Sequence, residues 1–179
     1  MHRIRMLQHY GVKPYVVFDG AQLPSKAGTE RERAARRREH RMRGLQFHAE
    51  KRTSAARDAF VRSVDITPAL AYELIKQLRV HGIPYLVAPY EADAQLAYLE
   101  RHGIIDAIIT EDSDLLVFGC NKVLFKLDTY GNCLEIDRAR FDKVKQLSFE
   151  GWTHQEFRQM AILSGCDYLP SCLLYTSPS

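Results

Sequence analysis

Apolar and polar positions fall into two kinds of block along this chain: short β-branched or aromatic runs, and longer stretches with helical spacing. Residues 12–19, VKPYVVFD, form the first short run, which stops at the turn signal Asp19-Gly20. Residues 83–88 and 104–110 are further apolar runs of strand type. Residues 54–64 set Ala56, Phe60 and Val64 at fourfold spacing, which predicts a helix able to pack. Thr67 followed by Pro68 reads as an N-cap with proline at the first helical position, and Leu70, Leu74, Ile75 and Leu78 make one apolar stripe before Gly82. A helix is predicted over 91–101, and a last one to about Leu163 and Gly165, opened by a capping box from Thr153 to Glu156. Residues 122–127 and 133–136 flank the turn Tyr130-Gly131-Asn132 and read as an edge hairpin. Strands and helices alternate, so the expected fold class is α/β with a mainly parallel sheet and flanking helices.

One helical block departs from this pattern. Residues 29–47 are rich in Arg, Glu and Ala and almost empty of large apolar side chains. They form a good helix without a core face, expected to project into solvent or to cover a ligand.

Length and composition narrow the picture. A chain of 179 residues is long enough for one domain with a sizeable core. Hydrophobic residues at 46% and charged residues at 26% exclude wholesale disorder, and no apolar run approaches the roughly 18 residues of a membrane span. No secretory signal is expected from the first residues. Cys120, Cys133, Cys166 and Cys172 contain no CxxC pair, which favours reduced thiols over a zinc site. The net charge is only +3, but residues 26–52 hold ten Lys or Arg against four Glu, leaving the remainder acidic. The plain explanation of such a run is a solvated helix face; the alternative is an acidic partner.

The acids are placed with more regularity than the bases. The run VVFD ends in Asp19, YLVAPYEAD in Glu91 and Asp93, and AIITEDSD in Asp112 and Asp114. In an open α/β sheet, ligands bind in the crevice outside the carboxyl ends of the strands, so acids from three strands can converge there. Asp167, just after the last helix, is a possible sixth member. So many carboxylates would repel one another and hold their protons unless cations neutralised them. With no His or Cys in the set, oxygen donors favour Mg²⁺, with Mn²⁺ as substitute, over zinc. Two such ions about 3.5–4 Å apart suit phosphodiester hydrolysis. A phosphate backbone is also the acidic partner that the 26–52 segment calls for.

Each piece has a plainer explanation. A single Asp after a strand is usually a turn residue or helix cap, and Asp93 and Asp114 could each be that. A DNA-binding module or pseudo-nuclease, with acids serving as caps, is therefore the competing class. Ser113 and Cys120 show no base partner for nucleophilic catalysis, the histidines show no HExxH, and phosphate-cradling glycine motifs are absent.

The blocks VVFDG at 16–20, LPSK at 23–26, APYEADAQLAYL at 88–99, ITEDSDLLVFGC at 109–120 and ILSGCDYL at 162–169 resemble the flap endonuclease and exonuclease family of XPG-type 5′ nucleases, most of all its exonuclease branch. The resemblance implies a PIN-like nuclease domain over residues 1–169, including a basic helical gateway or arch at about 26–64, and a divergent tail at 170–179. It implies that Asp19, Glu91 and Asp93 serve one metal ion and Asp112, Asp114 and Asp167 a second. Lys26 and Arg33 would act on the scissile phosphate, with Arg36 and Arg37 binding DNA further along the helix. The family acts in the nucleus on DNA with 5′ ends, nicks or flaps, as a monomer beside mismatch-repair proteins and away from membranes. Family members carry a further ligand-bearing first strand and a helix-turn-helix after the last helix. Relative to them the domain is incomplete at both ends, and the isolated chain is expected to be inactive.

Overall fold

The computed structural model describes residues 1–144 and 149–166. The chain divides into two compact units. One comprises Met1–Ala21 with the residues from Gln77 onward; the other is Gln22–Lys76.

The first unit opens on helix α1 (His2–His9), continues into strand β1 (Val16–Phe18), and resumes at the end of helix α4 (Pro68–Val80). Strand β2 (Tyr85–Val87), helix α5 (Ala92–Arg101), strand β3 (Ile108–Ile109), helix α6 (Asp114–Val117), the hairpin β4 (Lys122–Phe125) and β5 (Leu134–Asp137), and helix α7 (His154–Ser164) follow. A short 3₁₀ segment, Arg138–Lys143, leaves β5. Strands β1 and β2 pair in parallel, with Val17 opposite Leu86. Strand β3 pairs in parallel with β4, and β4 pairs antiparallel with β5, Val123 facing Ile136.

Among the described residues these ladders form two sheets rather than one. Two of the three ladders are parallel and the hairpin lies at an edge, as the alternation predicts. The strands are shorter than their apolar runs, and the cause is local. Gly11, Gly82 and Gly103 follow helices α1, α4 and α5 at φ of +78°, +63° and +66°. The next residue folds back each time: Val12, Ile83 and Ile104 donate their N–H to the carbonyls of Leu7, Leu78 and Leu99 at 3.0, 2.9 and 3.0 Å. This is the glycine-terminated C-cap, in which a hydrophobic residue after the glycine closes the helix. The β-branched residues at these positions therefore finish helices instead of starting strands.

The core of this unit joins Ala97 of α5, Ile108 of β3, Leu115 of α6, Cys120, and Val123 and Phe125 of β4, with Leu96, Ile105, Leu116 and Ile136 packed against them. Each fully buried Leu, Ile or Val contributes roughly 1.5–3 kcal/mol. The capping box forms as expected: Thr153 Oγ1 accepts from the Glu156 N–H at 3.2 Å, and Glu156 Oε2 accepts from the Thr153 N–H at 2.7 Å. Helices α1 and α6 correspond to no element read from the sequence, because α1 is only eight residues long and α6 only four, too short to show apolar periodicity.

The second unit contains a 3₁₀ turn, Pro24–Lys26, helix α2 (Ala27–Ala49), helix α3 (Thr53–Ser63) and the start of α4. Helix α2 does have a packing contact, contrary to the sequence expectation. Its one buried residue is Gly44, where an added Cβ would sit 2.7 Å from the ring of Phe60 on α3. A glycine gives no apolar signal, so close helix–helix approach is invisible to periodicity. The apolar stripe of α4 is buried only at its end: Leu78 is fully buried, Leu74 and Ile75 are half-buried, and Leu70 is 57% exposed.

Candidate metal centre

Strand β1 delivers Asp19 at its carboxyl end, and β2 leads through three residues to Glu91 and then Asp93 in the first turn of α5. Strand β3 leads through Thr110 and Glu111 to Asp112 and to Asp114, the first residue of α6. All five belong to the first unit, and the core just described fixes α5, β3 and α6 together. Glu91, Asp93, Asp112 and Asp114 thus emerge from elements held by Ala97, Ile108 and Leu115.

Asp19 reaches α5 directly. Its Oδ1 accepts the Ala92 N–H at 2.7 Å, so it caps a helix 73 residues away in sequence. This approach depends on Gly20. A Cβ there would overlap the Ala88 carbonyl oxygen, and the Gly20 and Ala21 N–H groups donate to the Tyr90 and Pro89 carbonyls at 2.6 and 3.0 Å. Gly20 therefore serves as the crossing point of two backbones, not as the turn residue that Asp-Gly suggests. The 110–114 segment orders itself: the Asp112 N–H donates to Thr110 Oγ1 at 3.0 Å and the Asp114 N–H to Asp112 Oδ1 at 2.9 Å.

Half-buried Asp93 lies at the electrostatic centre. Its pKa is raised from 3.8 to about 6, first by burial and then by the negative charges of Asp112, Asp19, Glu91 and Asp114. The structure thus places four of the other sequence-predicted acids near enough for their charges to act on Asp93, and Asp167 lies outside the described residues. It does not close them into a cage. Among the described residues no three of His, Cys, Asp or Glu are close enough to hold a metal ion ready-made. Hard oxygen donors crowding a proton-holding carboxylate nonetheless fit Mg²⁺ or Mn²⁺. The caps formed by Asp19 and Asp112 each use Oδ1, leaving Oδ2 for such a ligand.

The other sequence candidates lie in the second unit. Lys26 ends the 3₁₀ turn and opens α2. Arg33 pairs with Glu30 at 3.0 Å, Arg36 with Glu32 at 3.8 Å, and Arg37 with Asp65 at 3.6 Å. These pairs are mostly exposed and screened, worth about 0–1 kcal/mol each, so they do not commit the guanidinium groups. Buried Cys120, first by burial and then by Glu100, has its thiol pushed up to about 11, which keeps it protonated and unreactive at neutral pH. The cysteines described, Cys120, Cys133 and Cys166, are free thiols. The pKa of His154 is lowered, first by burial and then by Arg138, Arg158 and Arg101.

Two sequence profiles match the chain: XPG N-terminal domain over residues 1–40 and XPG I-region over residues 82–167. Exonuclease 1 of Xenopus laevis is 53% identical over 171 residues, which covers 96% of this chain and 23% of that protein. The chain thus spans about a quarter of the length of that relative. Among solved structures, the catalytic core of Rad2 in complex with DNA substrate is 27% identical with a TM-score of 0.65, covering 94% of this chain and 46% of that one. The Holliday junction-resolving enzyme GEN1, in complex with product DNA and Mg²⁺, is 25% identical with a TM-score of 0.58, covering 94% and 32%.

Proposed function

The chain belongs to the XPG family of nucleases, and on that premise we propose that it forms part of a metal-dependent nuclease that removes nucleotides from 5′ ends of duplex DNA and cuts 5′ flaps. The observation that carries this reading is that the charges of four other carboxylates act on half-buried Asp93, which holds a proton to about pH 6. Asp19, Glu91 and Asp93 would hold one divalent cation, and Asp112 and Asp114, with Asp167, a second. Bound there, Mg²⁺ lowers the pKa of an attacking water and stabilises charge on the phosphate. The protein's own part is to aim the carboxylates from rigid elements: α5 presents Glu91 and Asp93, and the capped 110–114 turn presents Asp112 and Asp114. Lys26 and Arg33 act on the scissile phosphate, where a fixed cation stabilises developing charge. Arg36 and Arg37 bind the DNA backbone by displacing its counterions. The frog relative's name and the DNA in the Rad2 and GEN1 complexes support this substrate class. Nuclear work in mismatch repair and end resection, with the partners that implies, belongs to the same proposal.

A second reading has its own support. Asp19 and Asp112 both accept backbone N–H groups, as acids serving only as caps would, in a non-catalytic DNA-binding module. Calorimetry with Mn²⁺ on the protein with both ends of the domain restored separates the two, together with its cleavage of labelled 5′-recessed and 5′-flapped duplexes in Mg²⁺ or EDTA. The nuclease reading expects Mn²⁺ binding that Asp112→Ala abolishes while DNA binding persists. Cleavage that continues in EDTA, or DNA binding lost in step with Mn²⁺ binding, overturns it.

A further inference from the structure

The two acid-bearing helices are tied together at the ends remote from their acids. Helix α5 starts beside Asp93 and finishes on Glu100 and Arg101. Helix α6 starts on Asp114, lasts a single turn, and runs through residues 118–121 into β4. Glu100 Oε1 accepts the N–H groups of Asn121 and Lys122 at 3.0 and 2.9 Å, while Oε2 accepts that of Asn121 at 2.8 Å. Arg101 Nη2 donates to the Phe118 carbonyl at 3.4 Å. From the far side, Arg138 Nη1 donates to the Gly119 carbonyl at 3.1 Å, and the Arg138 N–H to the Asn121 carbonyl at 2.8 Å. Segment 118–122 is therefore gripped by its amides and carbonyls alike, and its Cys120 joins Leu115 and Ala97 in one buried core cluster.

A helix of one turn has no stability of its own, since nucleation is unfavourable and propagation has not begun. Where α6 lies, and with it Asp114 and the Asp112 turn, is set by what holds its far end. At 1.5 Å per residue, Glu100 sits about 10 Å along the axis of α5 from Asp93. The two helices then behave as rods joined at one end by the Glu100 grip and through the middle by the core, with the carboxylates at the other end.

We propose that Glu100, assisted by Arg101, is a positioning residue that holds α6 against α5 and thereby sets the spacing between Asp93 and the Asp112–Asp114 pair for divalent cations. The proposal rests on reading those carboxylates as a metal site. A carboxylate suits the task because one rigid group accepts two successive backbone N–H groups, and charge strengthens both bonds. Partners standing behind metal ligands commonly alter metal affinity about 10–100-fold when removed.

The test compares the unaltered chain with Glu100→Ala, Glu100→Gln and Glu100→Asp. Amide exchange is followed in EDTA, and Mn²⁺ binding by electron paramagnetic resonance. In Glu100→Ala the amides of residues 114–118 should exchange faster along with those of Asn121 and Lys122, and half-saturating Mn²⁺ should rise about tenfold or more. Glu100→Gln keeps one carbonyl acceptor without the charge and should restore both in part. If Glu100→Ala does not fold, Glu100→Asp decides: its charge remains but its reach falls short by one methylene, and it should weaken Mn²⁺ binding in the same way. A folded Glu100→Ala or Glu100→Asp with unaltered exchange at 114–118 and unaltered Mn²⁺ affinity overturns the proposal alone. An unaltered chain that binds no Mn²⁺ overturns the metal reading, and the spacing role falls with it.

Discussion

Asp93 ionises against burial and four neighbouring carboxylates, so its charge works against folding whenever no cation is present. The folded group titrates at about 6 and the ordinary value is 3.8, so between these pH values the folded state binds more protons than the unfolded one. Stability is then greatest below 3.8 for this group and declines as pH rises to 6. Asp93→Asn removes the penalty. In EDTA it should melt higher than the parent at pH 8, the gap should narrow through the window from 6 to 3.8, and the two should coincide at pH 3. Added Mn²⁺ should reverse the order, because binding to the folded state stabilises only a chain that retains the ligand. A lower melting temperature for Asp93→Asn at pH 8 in EDTA would identify Asp93 as a satisfied structural group. Asp19 combines two duties that substitution can separate. Asp19→Asn keeps an acceptor for the Ala92 N–H, whereas Asp19→Ala loses it, so the alanine variant should be the less stable by about 1 kcal/mol in urea unfolding. Both remove one negative charge and should weaken Mn²⁺ binding alike. Equal stability of the two would show the cap to be dispensable.

At the scale of elements, Gly20 is the position where the backbone leaves least room. An alanine Cβ would meet the Ala88 carbonyl, a backbone atom, so the segments following β1 and β2 would have to part. Gly20→Ala should cost about 1–3 kcal/mol, as overpacking does, and should weaken Mn²⁺ binding because Asp19 moves with it. Gly44→Ala is a milder change. Its obstacle is the Phe60 ring, which can turn, and alanine returns up to about 1 kcal/mol of helix propensity. Urea unfolding of the two variants checks the order, and a Gly44→Ala chain less stable than Gly20→Ala would contradict it. These glycines also mark the limit of what the sequence discloses. Helices α2 to α5 and α7, the hairpin and the capping box were all legible, because each rests on local periodicity or on a two-residue signature. The strand starts were not: Val12, Ile83 and Ile104 look like strand residues until the C-cap bonds of the preceding helices claim them. In the site, five acids at strand ends could be read directly. The long-range cap from Asp19 and the Glu100 grip could not, since each joins a side chain to a backbone amide whose position only the fold determines.

Over the whole molecule, charge is divided between the two units rather than balanced within them. Residues 26–52 carry ten basic side chains against four Glu, while the carboxylates around Asp93 lie in the other unit, and the total is only +3. The basic residues of α2 are partly answered by Glu30, Glu32, Glu39 and Asp65, yet those pairs are exposed and yield to a phosphate backbone at little cost. Replacing Arg36, Arg37 and Arg38 with Gln should therefore weaken duplex binding and flatten its salt dependence, by about 0.9 in the log–log slope for each phosphate that is no longer neutralised. Mn²⁺ binding should stay unchanged, since none of the three lies among the acids. Fluorescence anisotropy with a labelled 5′-recessed duplex, titrated in EDTA across a series of salt concentrations, reads the slope without any contribution from bound cation. If the triple variant keeps the parent's slope, the basic face of α2 is only solvated surface, and DNA is held by other residues.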